Sequence, residues 1–160
     1  TLLEQSEGHA RTLSLDLIAQ WRGLEGNGQF RFTPPTHTLL AFAQALQELE
    51  AEGGIPGRAA RYRANHDVCV AGMRAMGFAE YVPEEVQGHI ITSFLYPAED
   101  FDFDDFYDHL NNKGFVIYPG KVTKADCFRI GHIGHLFPED TDALLAAIRK
   151  VVSEMNLSLV

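Results

Sequence analysis

The order of apolar and polar residues predicts a helical first half of the chain and a mixed second half. Apolar residues recur at helical spacing over residues 14–25, between Thr36 and Gly53, and between Pro56 and Gly77. Thr36 is suited to an N-cap, and the two glycines are suited to helix ends. The intervening GNGQFRFTPPT, with its double proline, predicts an extended connector between the first two helices.

The second half alternates helices with short strands. HIITSFLYP, between Gly88 and Pro97, has the two-residue period of a strand. DFDDFYDHLNNKG predicts a helix with Asp102 as its N-cap, FVIYPG and CFRIG predict two more strands, and PEDTDALLAAIRKVVSEM predicts a closing helix. The order from Thr36 onward implies an α/β (α+β) fold in which helices pack on a small, mostly antiparallel sheet.

Composition narrows the class of protein. The 160 residues are 46% hydrophobic and 22% charged, which is typical of one globular domain. A net charge of −9 without a cationic cluster argues against nucleic-acid and membrane partners. The sequence has neither a membrane-spanning apolar run nor a signal-peptide pattern. Cys69 and Cys127 are few and far apart, which favours the reducing cytoplasm, although a disulfide stays possible.

One charged residue stands inside the apolar strand CFRIG. Arg129 lies between Phe128 and Ile130, and a guanidinium buried in such a strand keeps its charge and must meet an anion. Its planar fork matches a carboxylate or a phosphonate through two parallel hydrogen bonds. The residues alone leave open whether a ligand supplies that anion or an internal acidic side chain does.

Other residues suggest chemistry less strongly. AEDFDFDDFYD has acidic residues at alternate positions but lacks the glycine and the glutamate of a calcium loop, so an acidic helix start is favoured. Lys121 is favoured as an exposed loop lysine over a Schiff-base nucleophile. Thr33, in FTPPTHT, is suited to a phosphate contact or to a helix cap.

A metal site is the rival interpretation of the histidines that follow CFRIG. His132 and His135 would need Cys127 or Asp126 to converge with them on one point. Strand alternation aims Cys127 and Asp126 to opposite faces, so loop or surface histidines are favoured.

Four motifs, in order and at fitting distances, give the chain a resemblance to a known family. LSLDLIAQW, FRFTPPTHTLLAFAQAL, GFVIYPGKV and DCFRIGHIG resemble the C-terminal part of the 2-aminoethylphosphonate–pyruvate transaminases, a class V group of fold-type I pyridoxal phosphate enzymes. The resemblance implies amino transfer from 2-aminoethylphosphonate to pyruvate by a cytoplasmic homodimer that uses pyridoxal 5'-phosphate. Residues 1–35 would be the tail of the cofactor-binding domain and the dimer connector, and residues 36–160 the small domain.

The resemblance also assigns roles to residues. Arg129 would bind the acidic group of the substrate, and Thr33 the cofactor phosphate held by the neighbouring subunit. More distant class V relatives use a tyrosine three residues earlier for that phosphate, where this chain has Phe30. The resemblance places the Schiff-base lysine upstream of Thr1, which is not a methionine, so no catalytic residue is expected in this chain. No metal site is expected either.

Two alternatives remain open at this point. One is another class V transaminase, acting on alanine and glyoxylate or on serine and pyruvate. The other is a non-catalytic α/β module that binds a small acid or a partner protein.

Overall fold

The computed structural model describes residues 1–120, 125–157 and 159. Contacts between residues divide the chain into two compact units, Thr1–Glu48 and Leu49–Val160. Within the described ranges, no helix combines the length and the apolar character that crossing a bilayer requires. The predicted division after residue 35 concerns roles in a longer protein and stays a prediction.

The first unit contains helices α1 (Leu2–Gln5) and α2 (Leu17–Asn27) and most of α3 (Thr36–Ala51). The helix predicted over residues 14–25 begins later than expected, because a 3-10 turn comes first and the Asp16 carboxylate then caps α2 by accepting from the Ala19 amide at 3.0 Å. Helix α3 begins at Thr36 itself, so the expectation that Thr36 is its N-cap was wrong.

The apolar residues of α3 are not buried. Helix α3 has no buried residue. Its large apolar side chains are 44% to 69% exposed, namely Leu39, Leu40, Phe42 and Leu46. Helical spacing therefore predicted the helix correctly, but its large apolar side chains stay exposed among the described residues.

Helix α4 (Gly54–Ala75) opens the second unit's fold. Gly53 adopts the left-handed conformation with φ 95°, which glycine tolerates without a steric cost. Its amide donates to the Glu50 carbonyl of α3 at 3.0 Å, as predicted for a glycine that ends this helix, and Gly53 is also the N-cap of α4. Gly77 follows the end of α4 with φ 94°, and its amide donates to the Arg74 carbonyl at 3.0 Å. The predicted stop at Gly77 is confirmed.

The sheet has three antiparallel strands in the order β1 (Ile91–Leu95), β3 (Cys127–Gly131), β2 (Tyr118–Pro119). The strand predicted from FVIYPG shrinks to two residues. The Phe115 amide donates to the end of helix α5, and Pro119 has no N–H with which to extend the ladder.

Two more helices complete the second unit, α5 (Phe103–Asn111) and α6 (Pro138–Glu154). Asp102 caps α5 as predicted, since its Oδ1 accepts from the Asp105 amide at 3.1 Å. The predicted α/β fold, with helices packed on a small antiparallel sheet, is confirmed.

The core lies where α4, α5 and α6 meet one face of the sheet, and aromatic rings fill its centre. The Phe128 ring lies 5.7 Å from that of Phe78 and 5.9 Å from that of Phe94. Both cysteines are buried as free thiols. Helices α4 and α6 approach so closely that a Cβ placed on Gly72 would lie 2.4 Å from Leu145 Cδ1.

Candidate functional site

Arg129 lies in the central strand, on the sheet face that points away from the core. Along β3 the neighbours Phe128 and Ile130 are 0% and 3% exposed, whereas Arg129 is half-buried. This alternation follows from the two-residue period of a strand. Arg129 thus lies in the predicted strand CFRIG, and it is half-buried rather than buried.

The guanidinium of Arg129 is held by a backbone group. Its Nε donates to the Pro119 carbonyl of β2 at 3.1 Å. Among the described residues, no carboxylate lies within salt-bridge distance of Arg129. The internal ion pair, which sequence left open, is thus not found in that part of the chain.

Side chains of α4 hold the loop that follows β3. Asn65, which is fully buried, donates its Nδ2 to the carbonyls of His132 at 3.2 Å and Leu136 at 2.9 Å. Arg61 Nη1 donates to the carbonyls of Gly134 at 2.7 Å and Leu136 at 2.8 Å. Asn65 was not predicted as a structural contact, although a polar residue on the apolar stripe of a helix is a signal for one.

His132 belongs to a cluster of three histidines. Its ring centroid lies 5.4 Å from that of His66, and the His66 centroid lies 5.0 Å from that of His89, both in edge-to-face geometry. His132 Nε2 is 2.8 Å from the Thr92 hydroxyl. Burial, together with charge repulsion from His66 and His89, lowers the pKa of His132 to about 4. His132 lies in the loop after β3, as predicted, but it is 2% exposed and is therefore not a surface histidine.

The metal interpretation gains no support from the geometry. In residues 1–120, 125–157 and 159, no three His, Cys, Asp or Glu side chains converge as metal ligands would. His135 is exposed, and its ring packs edge-to-face on Phe137 with centroids 5.0 Å apart.

Thr33 lies in the first unit, between α2 and α3, and is exposed. It lines an open cavity of about 820 Å³ together with Phe30 and Phe32, whose rings are 48% and 53% exposed. Arg31 places its guanidinium carbon 5.4 Å from the centroid of the Phe32 ring. Thr33 and Arg129 thus belong to different units.

Lysines offer no clear nucleophile in the described part of the chain. Lys121 lies outside the described residues. Lys113 is engaged by Glu154, with its Nζ 2.8 Å and 3.1 Å from the two carboxylate oxygens. The hydrogen bonds that Lys113 donates are the main reason why the pKa of the Glu154 carboxyl lies below its ordinary value.

An apolar cavity of the second unit lies beside β3. It measures about 710 Å³, and its lining includes Ile117, Ile130, His132 and Leu144, but not Arg129. Because its walls are mostly hydrocarbon, it offers little to an acidic ligand.

Known proteins resemble the chain in sequence over nearly all of its length. It is 55% identical over 150 residues to a 2-aminoethylphosphonate–pyruvate transaminase of Phocaeicola vulgatus, covering 93% of the chain and 41% of that protein. The corresponding transaminase of Vibrio cholerae is 53% identical over 152 residues, covering 94% of the chain and 41% of that protein. The chain thus spans about two-fifths of these relatives. No protein-family model matches it.

Solved structures share the fold at low sequence identity. An alanine–glyoxylate aminotransferase from Nostoc superposes with a TM-score of 0.78 at 19% identity, over 94% of this chain and 41% of that one. A ureidoglycine–glyoxylate aminotransferase from Bacillus subtilis gives 0.72 at 21% identity, over 89% and 38%. The resemblance and the fold class inferred from sequence are both confirmed.

Proposed function

We propose, from the chain's similarity to 2-aminoethylphosphonate–pyruvate transaminases over more than nine-tenths of its length, that it forms part of a pyridoxal phosphate-dependent aminotransferase. The reaction moves the amino group of 2-aminoethylphosphonate to pyruvate and gives phosphonoacetaldehyde and alanine. The single observation that carries the proposal is identity of 53% to 55% with these relatives. The complete enzyme is a cytoplasmic homodimer. The two free thiols among the described residues are consistent with the reducing environment of the cytoplasm.

Arg129 binds the acidic group of each substrate in this proposal. Its Nε is already bonded to the Pro119 carbonyl, so the plane of the guanidinium is set before a ligand arrives. The two Nη groups then supply the parallel hydrogen bonds that a carboxylate or a phosphonate accepts. Pre-setting the fork reduces the rotational freedom that binding would otherwise remove.

Thr33 binds the cofactor phosphate held by the neighbouring subunit. Its exposed hydroxyl in the connector fits one phosphate contact, and a single neutral donor suits the edge of a phosphate site rather than its centre. When bound, the cofactor supplies an electron sink for the chemistry at the substrate's amino-bearing carbon. The lysine that holds the cofactor lies upstream in the longer protein.

Activity of the full-length protein tests the proposal. We expect alanine to form from pyruvate with 2-aminoethylphosphonate as donor, and this chain alone to give none. Assays of the full-length protein with alanine plus glyoxylate and with serine plus pyruvate, as alternative substrate pairs, distinguish the proposed activity from those of the related transaminases. Full-length protein that has bound its cofactor but converts none of these pairs would contradict the proposal and favour a binding module.

A matched pair of variants tests Arg129 itself. Arg129→Lys should lower kcat/KM by about 30-fold to 1000-fold, equivalent to about 2–4 kcal/mol, because a point charge replaces a planar fork. Arg149→Lys, at an exposed position of α6, is the control and should leave the kinetics unchanged. Equal kinetics for the two variants would remove Arg129 from the site.

A further inference from the structure

A polar row crosses the outer face of the sheet. Strand register places Ser93 of β1 opposite Arg129 of β3, and Arg129 opposite Tyr118 of β2. Directly opposed residues project from the same face with Cβ atoms about 4.5–5.5 Å apart. The three side chains therefore form one transverse row, with the guanidinium in the middle and a hydroxyl on each side.

The neighbours of this row are apolar or small. On the same face, Ser93 lies between Ile91 and Leu95, and Arg129 lies between Cys127 and Gly131. None of these four neighbours carries a charge or a strong hydrogen-bonding side chain. The row is thus a polar stripe on an otherwise apolar face, which is the composition of a site that orients a polar headgroup.

Strand β2 supplies two parts of the row at once. The Pro119 carbonyl accepts from Arg129 Nε at 3.1 Å, and the preceding residue is Tyr118, whose side chain is 53% exposed. The two residues of β2 therefore set the guanidinium and also present a phenol beside it.

The shape of the anion decides what such a row can distinguish. A carboxylate is planar and its two oxygens are satisfied by the two-pronged fork of an arginine. A phosphonate is tetrahedral and carries a third oxygen outside the plane of the fork. Hydroxyl groups flanking the guanidinium can donate to that third oxygen, whereas a carboxylate leaves them without a partner.

We propose that Ser93 and Tyr118 flank Arg129 as the residues that favour a tetrahedral phosphonate over a planar carboxylate. This inference rests on the proposed function for the acidic ligand of Arg129. Tyr118 is the larger contributor, since its side chain is the more exposed of the two and extends further from the sheet. Both residues act by positioning and selecting the headgroup, and neither takes part in the chemistry at the amino-bearing carbon.

Anion binding to the full-length protein tests the row without reference to turnover. Methylphosphonate and acetate are the probes, and their dissociation constants are measured by calorimetry at mildly alkaline pH. Tyr118→Phe should weaken methylphosphonate about tenfold and acetate less than about twofold, because only the third oxygen loses a donor. Ser93→Ala should act in the same direction with a smaller effect.

The control is Tyr107→Phe, a half-buried tyrosine of α5 that packs against the core and lies outside the row. It should change neither dissociation constant. Equal weakening of both anions by Tyr118→Phe, or no change in either, would overturn the proposal. Ser93→Ala provides the same comparison if the tyrosine variant fails to fold.

Turnover separates this inference from the proposed function. A wild-type protein that transaminates 2-aminoethylphosphonate while Tyr118→Phe keeps its preference for methylphosphonate supports the function and refutes the row. A wild-type protein without transaminase activity, whose preference for methylphosphonate is nevertheless lost in Tyr118→Phe, supports the row and refutes the function.

Discussion

At the scale of single residues, His132 is the side chain whose setting differs most from its ordinary chemistry. Its ring is enclosed by β1, by α4 and by the segment that carries His89, and its amide donates to the Ile90 carbonyl at 3.0 Å. The charged groups Arg63, Asp67 and Glu80 line the cleft beside His66 and His89. Such a position stabilises the neutral imidazole.

The stability of the protein should therefore fall as the pH drops from about 6.5 to about 4. The folded pKa of His132 is about 4 against an ordinary 6.5, so in this window the unfolded chain binds more protons than the folded one. Unfolding then becomes easier as pH falls, by about 3 kcal/mol once the pH is below both values. Urea denaturation at a series of pH values measures this slope.

Two histidine variants make the comparison specific. His132→Asn should flatten the slope between pH 6.5 and 4, because the titrating imidazole is gone. His135→Asn, at an exposed position, should keep the wild-type slope. A slope that survives in His132→Asn would assign the acid sensitivity to other groups.

At the scale of elements, α4 is the helix that organises the loop after β3. Asn65 and Arg61 together satisfy three of that loop's carbonyls, those of His132, Gly134 and Leu136. A loop without its own ladder needs such side-chain donors, since buried carbonyls without partners are costly. The helix thereby fixes the end of the strand that carries Arg129.

Asn65→Ala should destabilise the protein by about 1–3 kcal/mol, because the buried His132 carbonyl loses the Asn65 donor, whereas the Leu136 carbonyl still accepts from Arg61. The free energy of unfolding in urea is the measurement. Asn111→Ala, at the exposed last residue of α5, is the matched control and should change that free energy little. An equally small effect for Asn65→Ala would mean that the loop holds its conformation without α4.

Sequence patterns predicted the elements well and their contacts poorly. The alternation in CFRIG and the capping signal at Asp102 depend on neighbouring residues, so they could be recognised from sequence alone. The Pro119 carbonyl under Arg129 and the meeting of three histidines depend on how distant strands and helices pack. The shortening of β2 also depends on a tertiary feature, the amide of Phe115 bonded to α5.

At the scale of the whole molecule, the first unit carries large apolar side chains that are exposed among the described residues. Trp21, Phe30, Phe32 and Phe42 are 42% to 62% exposed. Apolar patches of this kind mark surfaces that contact another protein surface. Their presence fits a chain that spans about two-fifths of its relatives, and sequence alone gave no measure of this exposure.

The contact that Thr33 is proposed to make can be tested across the dimer. A full-length subunit lacking the upstream cofactor lysine is paired with a Thr33→Ala subunit. One site of this heterodimer then combines an intact lysine with the intact threonine of the other subunit. That site should hold its cofactor with near wild-type affinity, whereas the Thr33→Ala homodimer should lose about 1–3 kcal/mol of cofactor binding.

Cofactor occupancy, measured by absorbance after dialysis, reads out the result. Thr38→Ala, an exposed threonine of α3, is the control and should keep full occupancy. A heterodimer no better than the Thr33→Ala homodimer would show that the contact is not made between subunits.

The close approach of α4 and α6 at Gly72 couples two distant positions of the sequence. A methyl group at residue 72 would overlap the Leu145 side chain, whose nearest atom lies 2.4 Å away, and overpacking of this kind costs about 1–3 kcal/mol. Removing the branched end of residue 145 would open the space that the methyl group needs. Among related sequences, a larger residue at position 72 should therefore be accompanied by a smaller residue at position 145.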